Sequence, residues 1–194
     1  MRTALLTGFG PFPGAPVNPT GSVIEAVKAQ PPEGWRIETL IFETTFASVP
    51  SDLDNAARTL SPDLVVLTGL AAEAQRIRLE VRARNAVLPG RPDAAGRCWT
   101  PGPIEPGGPE ERRTRLDLDA LAEAVKAAGA DVEVSEDAGR YVCEFTYYLA
   151  LGRFSAPAVF VHLPMTGTPG AALTAAEAAD ALRAVIAAAA RFTR

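Results

Sequence analysis

One cysteine, the only histidine and one of several carboxylates stand where a covalent hydrolysis could be assembled. Cys143 follows "DAG" near the predicted start of a helix, and a helix N-terminus favours the nucleophilic thiolate. A buried structural cysteine fits the same position. The adjacent Glu144 would oppose a thiolate if it lay close in space. His162 ends the run "APAVFVHLP", the carboxyl end of a predicted strand. Read alone, a single histidine on an apolar strand suits a packed core at least as well as a base. A Cys–His pair also needs an acceptor on the second imidazole nitrogen. Glu80, on the alternating segment 77–88, is a candidate, and a surface glutamate is its plainer reading. Composition and spacing permit this triad without joining it.

Other chemistries fit less well. The loop "GFGPFPG" is rich in glycine, but a dinucleotide fingerprint needs G-x-G-x-x-G opening a helix with its amides free. Here the spacing is G-x-G-x-x-x-G, and Pro11 and Pro13 lack amide hydrogens. The loop presents Phe9 and Phe12 instead, two rings that can sandwich a flat apolar ligand or plug the core beneath. A lone histidine, with no partner at i+4 and no CxxC pair, supplies no metal ligand set, so no metal is expected.

The elements that would position these groups alternate. "TALLT", "RIETLIF", "DLVVLTGL", "DVEVS" and "APAVFVHLP" read as strands, and 77–88 as a further one. "TGSVIEAVKAQ", "SDLDNAARTL" (opened by Ser51 and Asp54), "LDLDALAEAVKAAG" and "AGRYVCEFTYYLAL" read as helices. A final helix opens on a Thr174/Glu177 capping box. This order predicts a single three-layer α/β/α domain over 1–194 with a largely parallel, mixed central sheet. Ligands then bind beyond the carboxyl ends of strands, at the loops after Thr7, Thr68 and Val161. Residues 89–109, dense in Pro and Gly, read as a long ordered loop or arm.

The 194 residues are 47% hydrophobic and 22% charged, enough for a sizeable core. A net charge of -4 argues against nucleic acid as a partner. The one basic cluster, "EERRTR" at 110–115, is mixed with acids and reads as a solvated face. No signal h-region and no uncharged apolar span of membrane length is present, so no membrane partner is expected. Two cysteines make no disulfide framework, which points to a reducing, cytoplasmic setting.

Taken together, the stretches resemble the pyroglutamyl peptidase I (pyrrolidone-carboxylate peptidase) family of cysteine peptidases over nearly the whole chain. "GFGPFPG" followed by Asn18, Pro19 and Thr20 matches the opening motif. "GLAAEAQRIRLEVRARN" keeps Gly69, Ala71, Ile77, Glu80, Ala83 and Asn85 of the middle motif in register. "AGRYVCE" with Tyr148 matches the nucleophile motif, and "FVHLP" the histidine motif.

The resemblance implies a phosphorylase/hydrolase-like fold and hydrolysis of the bond after an N-terminal pyroglutamate, through a thioester. Cys143 would be the nucleophile, His162 the base and acid, and Glu80 the orienting carboxylate. Phe9 and Phe12 would pack on the pyrrolidone ring, with backbone groups near Leu70 and Val142 binding the lactam. Arg91 and Asn18 are further candidates for oxyanion or supporting roles. No cofactor is implied; the partners are small pyroglutamyl peptides, and the chain would be a homo-oligomer, a tetramer among the options. Four positions depart from the motifs: Leu70 for glutamine, Ala74 for arginine, Gly90 for a second arginine (Arg91 stands one place later) and Glu144 for asparagine. The segment between Cys143 and His162 is also short for the family. Alternatives are therefore a divergent cysteine amidase for another small lactam or amide, and a weakly active or non-catalytic binder of pyroglutamyl groups.

Overall fold

Apolar runs without alternation belong to strands covered on both faces, and this chain has such runs at its sheet centre. The computed structural model describes residues 1–13, 15–167 and 171–193. Gly14, which closes the expected aromatic loop, lies outside the described residues. The central sheet orders its strands β2 (Trp35–Phe42), β1 (Arg2–Phe9), β3 (Leu64–Leu70), β8 (Ala158–Leu163), β4 (Ile77–Glu80) and β7 (Val132–Ser135). The first four are mutually parallel, whereas β4 runs antiparallel to β8 and carries β7 parallel to itself. The mixed, largely parallel sheet expected from the alternation is present.

Helices cover both faces. Ala4, Leu6, Val66, Val159 and Val161 bury one face against α1 (Thr20–Ala29), α3 (Leu118–Ala127) and α5 (Ala175–Ala189). Leu5, Phe9, Val65, Leu67 and Phe160 bury the other against α2 (Val49–Leu60) and α4 (Val142–Arg153). The α5 capping box at Thr174 and Glu177 forms as expected. No helix among the described residues is long and apolar enough to cross a membrane.

The expectations failed where tertiary contacts outweigh local pattern. Helix α2 starts at Val49, so Ser51 is not its cap. Its hydroxyl donates to the Ser48 carbonyl at 2.8 Å, and the Asp54 carboxylate pairs with Arg153. The segment 77–88 is not one strand: it breaks after Glu80, where the Val81 N–H donates to Ser135 O at 2.7 Å. Beyond the break, β5 (Arg82–Arg84) pairs antiparallel with β6 (Glu111–Arg113). The cluster at 110–115 thus contains a strand, and two of its three arginines are ion-paired rather than merely solvated: Arg112 binds Glu105, and Arg113 binds Glu111 at 2.9 Å, while Arg115 donates to the Ser155 carbonyl. Between β5 and β6, residues 89–109 form no regular element, only a bridge between Pro92 and Cys98. Finally, α4 begins at Val142 rather than at Ala138, which puts Cys143 in its first turn.

Candidate active site

The start of α4 is set by two residues that helices avoid. Gly139 and Arg140 both take positive φ (88° and 50°), so the chain turns sharply and the helix starts only at Val142. Glu144 holds this turn. Its fully buried carboxylate accepts the Arg140 N–H at 3.0 Å and the Arg84 N–H of β5. Burial raises its pKa, while the two backbone donors oppose that rise. An acid in a helix's first turn that ties back to preceding amides satisfies donors the helix leaves open. Glu144 is therefore engaged away from Cys143, not aimed at its sulfur.

Cys143 Sγ points to the carboxyl end of β3. A Cβ at Gly69 would stand 2.9 Å from that sulfur and 2.8 Å from the Phe160 ring, so only glycine fits there. His162, near the end of β8, faces the same cavity as Cys143 on one side. On the other, its Nδ1 lies 2.8 Å from Glu80 Oε1. The strand register explains this contact. Arg78 and Glu80 oppose His162 and Phe160 across the antiparallel pair, so all four share one face and Glu80 reaches His162 diagonally. The Phe160 ring packs 4.7 Å from the imidazole centroid and fixes its plane. Tyr147 Oη donates to the Glu80 carbonyl at 2.9 Å and anchors the strand end.

Glu80 is fully buried and His162 only 6% exposed. Burial alone would push the imidazole pKa down. The hydrogen bonds and negative charges of Cys143 and Glu80 outweigh it and leave the group pushed up to about 9. Imidazolium is thus the resting form at neutral pH. Glu80 Oε2 is buried with no partner among the described residues, so the carboxylate's contact is with the imidazole alone.

Cys143 and His162 open into a cavity of about 500 Å³. Phe9 and Phe12 both line it, as the sequence suggested. Phe9 is buried against Phe42 (5.4 Å between centroids), whereas Phe12 is partly exposed, 6.4 Å from Tyr141. The aromatic loop is held by Asn18, which also lines the cavity. Asn18 Nδ2 donates to Gly10 O at 3.2 Å, and its Oδ1 accepts the Thr20 hydroxyl at 2.9 Å. Thr20 Oγ1 in turn accepts the Phe9 N–H at 3.1 Å. Asn18 thus spends its polar atoms on the loop, a supporting role rather than an oxyanion contact.

Leu70 and Ala74 form apolar wall at the two departures from the middle motif. Val142 does not line the cavity: it is fully buried and its carbonyl accepts the Thr146 hydroxyl at 2.7 Å. Arg91 does line it, stacked 4.1 Å from the Tyr141 centroid and 5.9 Å from that of Phe12, with no ion pair among the described residues. Tyr141 Oη fastens this segment by donating to Pro92 O at 2.7 Å.

A family model described as pyroglutamyl peptidase matches residues 2–190. The chain belongs to the pyroglutamyl peptidase family. It is 34% identical to the pyrrolidone-carboxylate peptidase of Streptomyces coelicolor, covering 98% of this chain and 93% of that one. To the pyrrolidone-carboxylate peptidase of Deinococcus radiodurans it is 33% identical, over 90% and 84%. The crystal structure of Bacillus amyloliquefaciens pyroglutamyl peptidase I superposes with a TM-score of 0.89 at 27% identity, covering 97% and 98% of the two chains. As a member, the chain is a cysteine peptidase for N-terminal pyroglutamate.

Sequence reasoning missed several site residues. Tyr141 and Thr44 line the cavity, and Thr44 also supports the loop through a 3.0 Å bond to Gly10 O. Tyr141 stood in the nucleophile motif and could have been singled out. Thr44 and Arg78 carried no signal, because their place depends on which strands become neighbours.

Proposed function

We propose that Cys143, His162 and Glu80 carry out the hydrolysis of the amide bond after an N-terminal pyroglutamate. The observation that carries this reading is the His162–Glu80 hydrogen bond beside Cys143, with Cys143 and His162 opening into one cavity walled by Phe9 and Phe12. Pyroglutamate lacks a charged amine, so an apolar slot with a few amide partners selects it. Phe9 forms the buried wall, Phe12 the partly exposed one, and Leu70 and Ala74 complete the apolar lining.

The thiolate of Cys143 attacks the pyroglutamyl carbonyl carbon; the C–S bond forms as the carbonyl electron pair moves to oxygen. Amides left open in a helix's first turn can stabilise such a charge, and Cys143 stands in the first turn of α4. The tetrahedral species collapses, the C–N bond breaks, and the departing nitrogen takes the proton held by His162. His162, now neutral, removes a proton from water as it attacks the thioester. Collapse of the second tetrahedral species breaks the C–S bond, releases pyroglutamate and restores the thiolate–imidazolium pair. Glu80 holds the imidazole in place. Arg91 acts as a support that covers Tyr141 and Phe12 rather than as an oxyanion donor.

Turnover of a pyroglutamyl chromogenic amide, measured beside a Cys143→Ser variant, tests this reading. Turnover no faster than the variant's would overturn it. Leu70 and Ala74 place apolar groups where the motif has glutamine and arginine, which favours a second reading: preference for another small lactam or amide. Iodoacetamide-sensitive turnover of such a substrate, at a higher kcat/KM than the pyroglutamyl amide, would select it. For assembly and location, the family resemblance supports a cytoplasmic homo-oligomer acting on short peptides; light scattering on the purified protein tests the former.

A further inference from the structure

The catalytic reading leaves one cationic side chain in the cavity without a task. Arg78 lines the same cavity as Cys143 and His162, and the strand register sets it directly opposite His162. Residues so paired have Cβ atoms only about 5 Å apart. His162 gives its proton to the departing nitrogen, so the released residue must emerge beside His162. Arg78, paired with His162, is therefore a neighbour of the place where that residue emerges.

The Arg78 guanidinium is only partly used. Its Nε donates to Glu133 Oε1 on β7 at 2.7 Å, and among the described residues its two terminal nitrogens donate to no acceptor. Both partners are roughly two-fifths exposed, at 39% and 41%. Two acids share the rim. Asp137 is engaged by Arg84 Nη1 at 3.0 Å and by the Gly139 N–H at 3.1 Å. Glu73 is exposed and makes no ion pair among the described residues. A solvated carboxylate of this kind is strongly screened, whereas the Arg78 fork is fixed by its strand and by Glu133.

We propose that Arg78 reads the residue following pyroglutamate and favours a carboxylate there, from an acidic side chain or from the free terminus of a dipeptide. The inference rests on the assignment of Cys143 and His162. Atoms in the free fork match a carboxylate in shape and charge, which a lysine-like point charge would not.

The test compares kcat/KM for pyroglutamyl-glutamate amide, pyroglutamyl-alanine with a free carboxylate, pyroglutamyl-alanine amide and pyroglutamyl-lysine amide. One or both carboxylate substrates should exceed the neutral amide by about fivefold, the size of a partly exposed charge-assisted contact. Which of the two does so identifies the source of the carboxylate. Arg78→Gln should remove the preference, while Glu133→Gln, which keeps an acceptor for Nε but removes the competing negative charge, should enlarge it. If Arg78 merely tied β4 to β7, the two variants would change all four substrates alike, and that result overturns the proposal. So does a preference for the lysine substrate, which would mean that Glu73 dominates the rim. Turnover of all four substrates without preference overturns this inference alone; no turnover above Cys143→Ser overturns the catalytic reading as well.

Discussion

The floor of the cavity and its rim are built on different terms. At the floor, Gly69, Phe160, Glu80 and His162 are locked between central strands and α4, and the Cys143 sulfur fills the space a side chain at 69 would need. At the rim, Arg91, Arg78 and Glu73 stand partly or fully in solvent, on one ion pair or none. Close packing leaves no tolerance for error at the floor, since a misplacement of about 1 Å can cost about 10²-fold in rate. The rim can vary without disturbing the fold. All four departures from the family motifs lie outside the proposed trio; Gly90 is exposed, whereas Glu144 and Ala74 are buried.

The contrast can be broken from its strongest point downwards. Glu80→Gln should lower kcat by on the order of 10³-fold, because the imidazolium loses its charged partner in a buried site; steady-state assays check this, and a loss under tenfold would mean that Glu80 only packs. Gly69→Ala should cost on the order of 10²-fold in kcat with little change in KM, since the added methyl displaces Sγ or the Phe160 ring. Near-normal kcat would show the floor to be softer than its packing implies.

Glu144→Ala should destabilise the fold by about 1–3 kcal/mol by stranding the Arg84 and Arg140 amides, measured by denaturant unfolding. The same variant should not raise cysteine reactivity towards iodoacetamide, because the carboxylate faces away from Sγ. Least affected, Arg91→Gln should raise KM by no more than about fivefold and leave kcat alone, as expected for an exposed charge.

The floor also sets a pH dependence. His162 carries its proton in the folded state up to about 9, against an ordinary value of 6.5. A raised value of this kind contributes stability that is full below about 6.5 and is lost as pH rises towards about 9. Thermal unfolding should therefore show falling stability across that window, and His162→Gln should flatten the slope. Turnover should fall above the same upper limit, where the departing amine loses its acid.

How much of this was legible in the sequence follows the same division. The strands β1, β3 and β8 were readable, because buried apolar runs ending at glycine or proline carry their own signal. The proposed trio came together only through motif order: nothing local to Glu80 says that β4 reverses direction and pairs with β8, bringing the carboxylate to His162. The break of 77–88 at Val81 was not legible for the same reason. It depends on Ser135 of β7 and on β6, whose residues read as a solvated charge cluster. Whether Glu144 opposes Cys143 was not legible, because adjacency in sequence says nothing of direction; on the first turn of a helix, neighbours point apart, and Glu144 binds the Arg84 and Arg140 amides.

The central claim is that Cys143 becomes acylated by the pyroglutamyl group. Acid-quenched single turnover of a pyroglutamyl amide, followed by mass spectrometry of the digested protein, tests it most directly. The peptide containing Cys143 should carry a pyroglutamyl adduct that decays as free pyroglutamate appears, and Cys143→Ser should show neither. Turnover that persists in Cys143→Ser, with no adduct on the wild-type peptide, would contradict it.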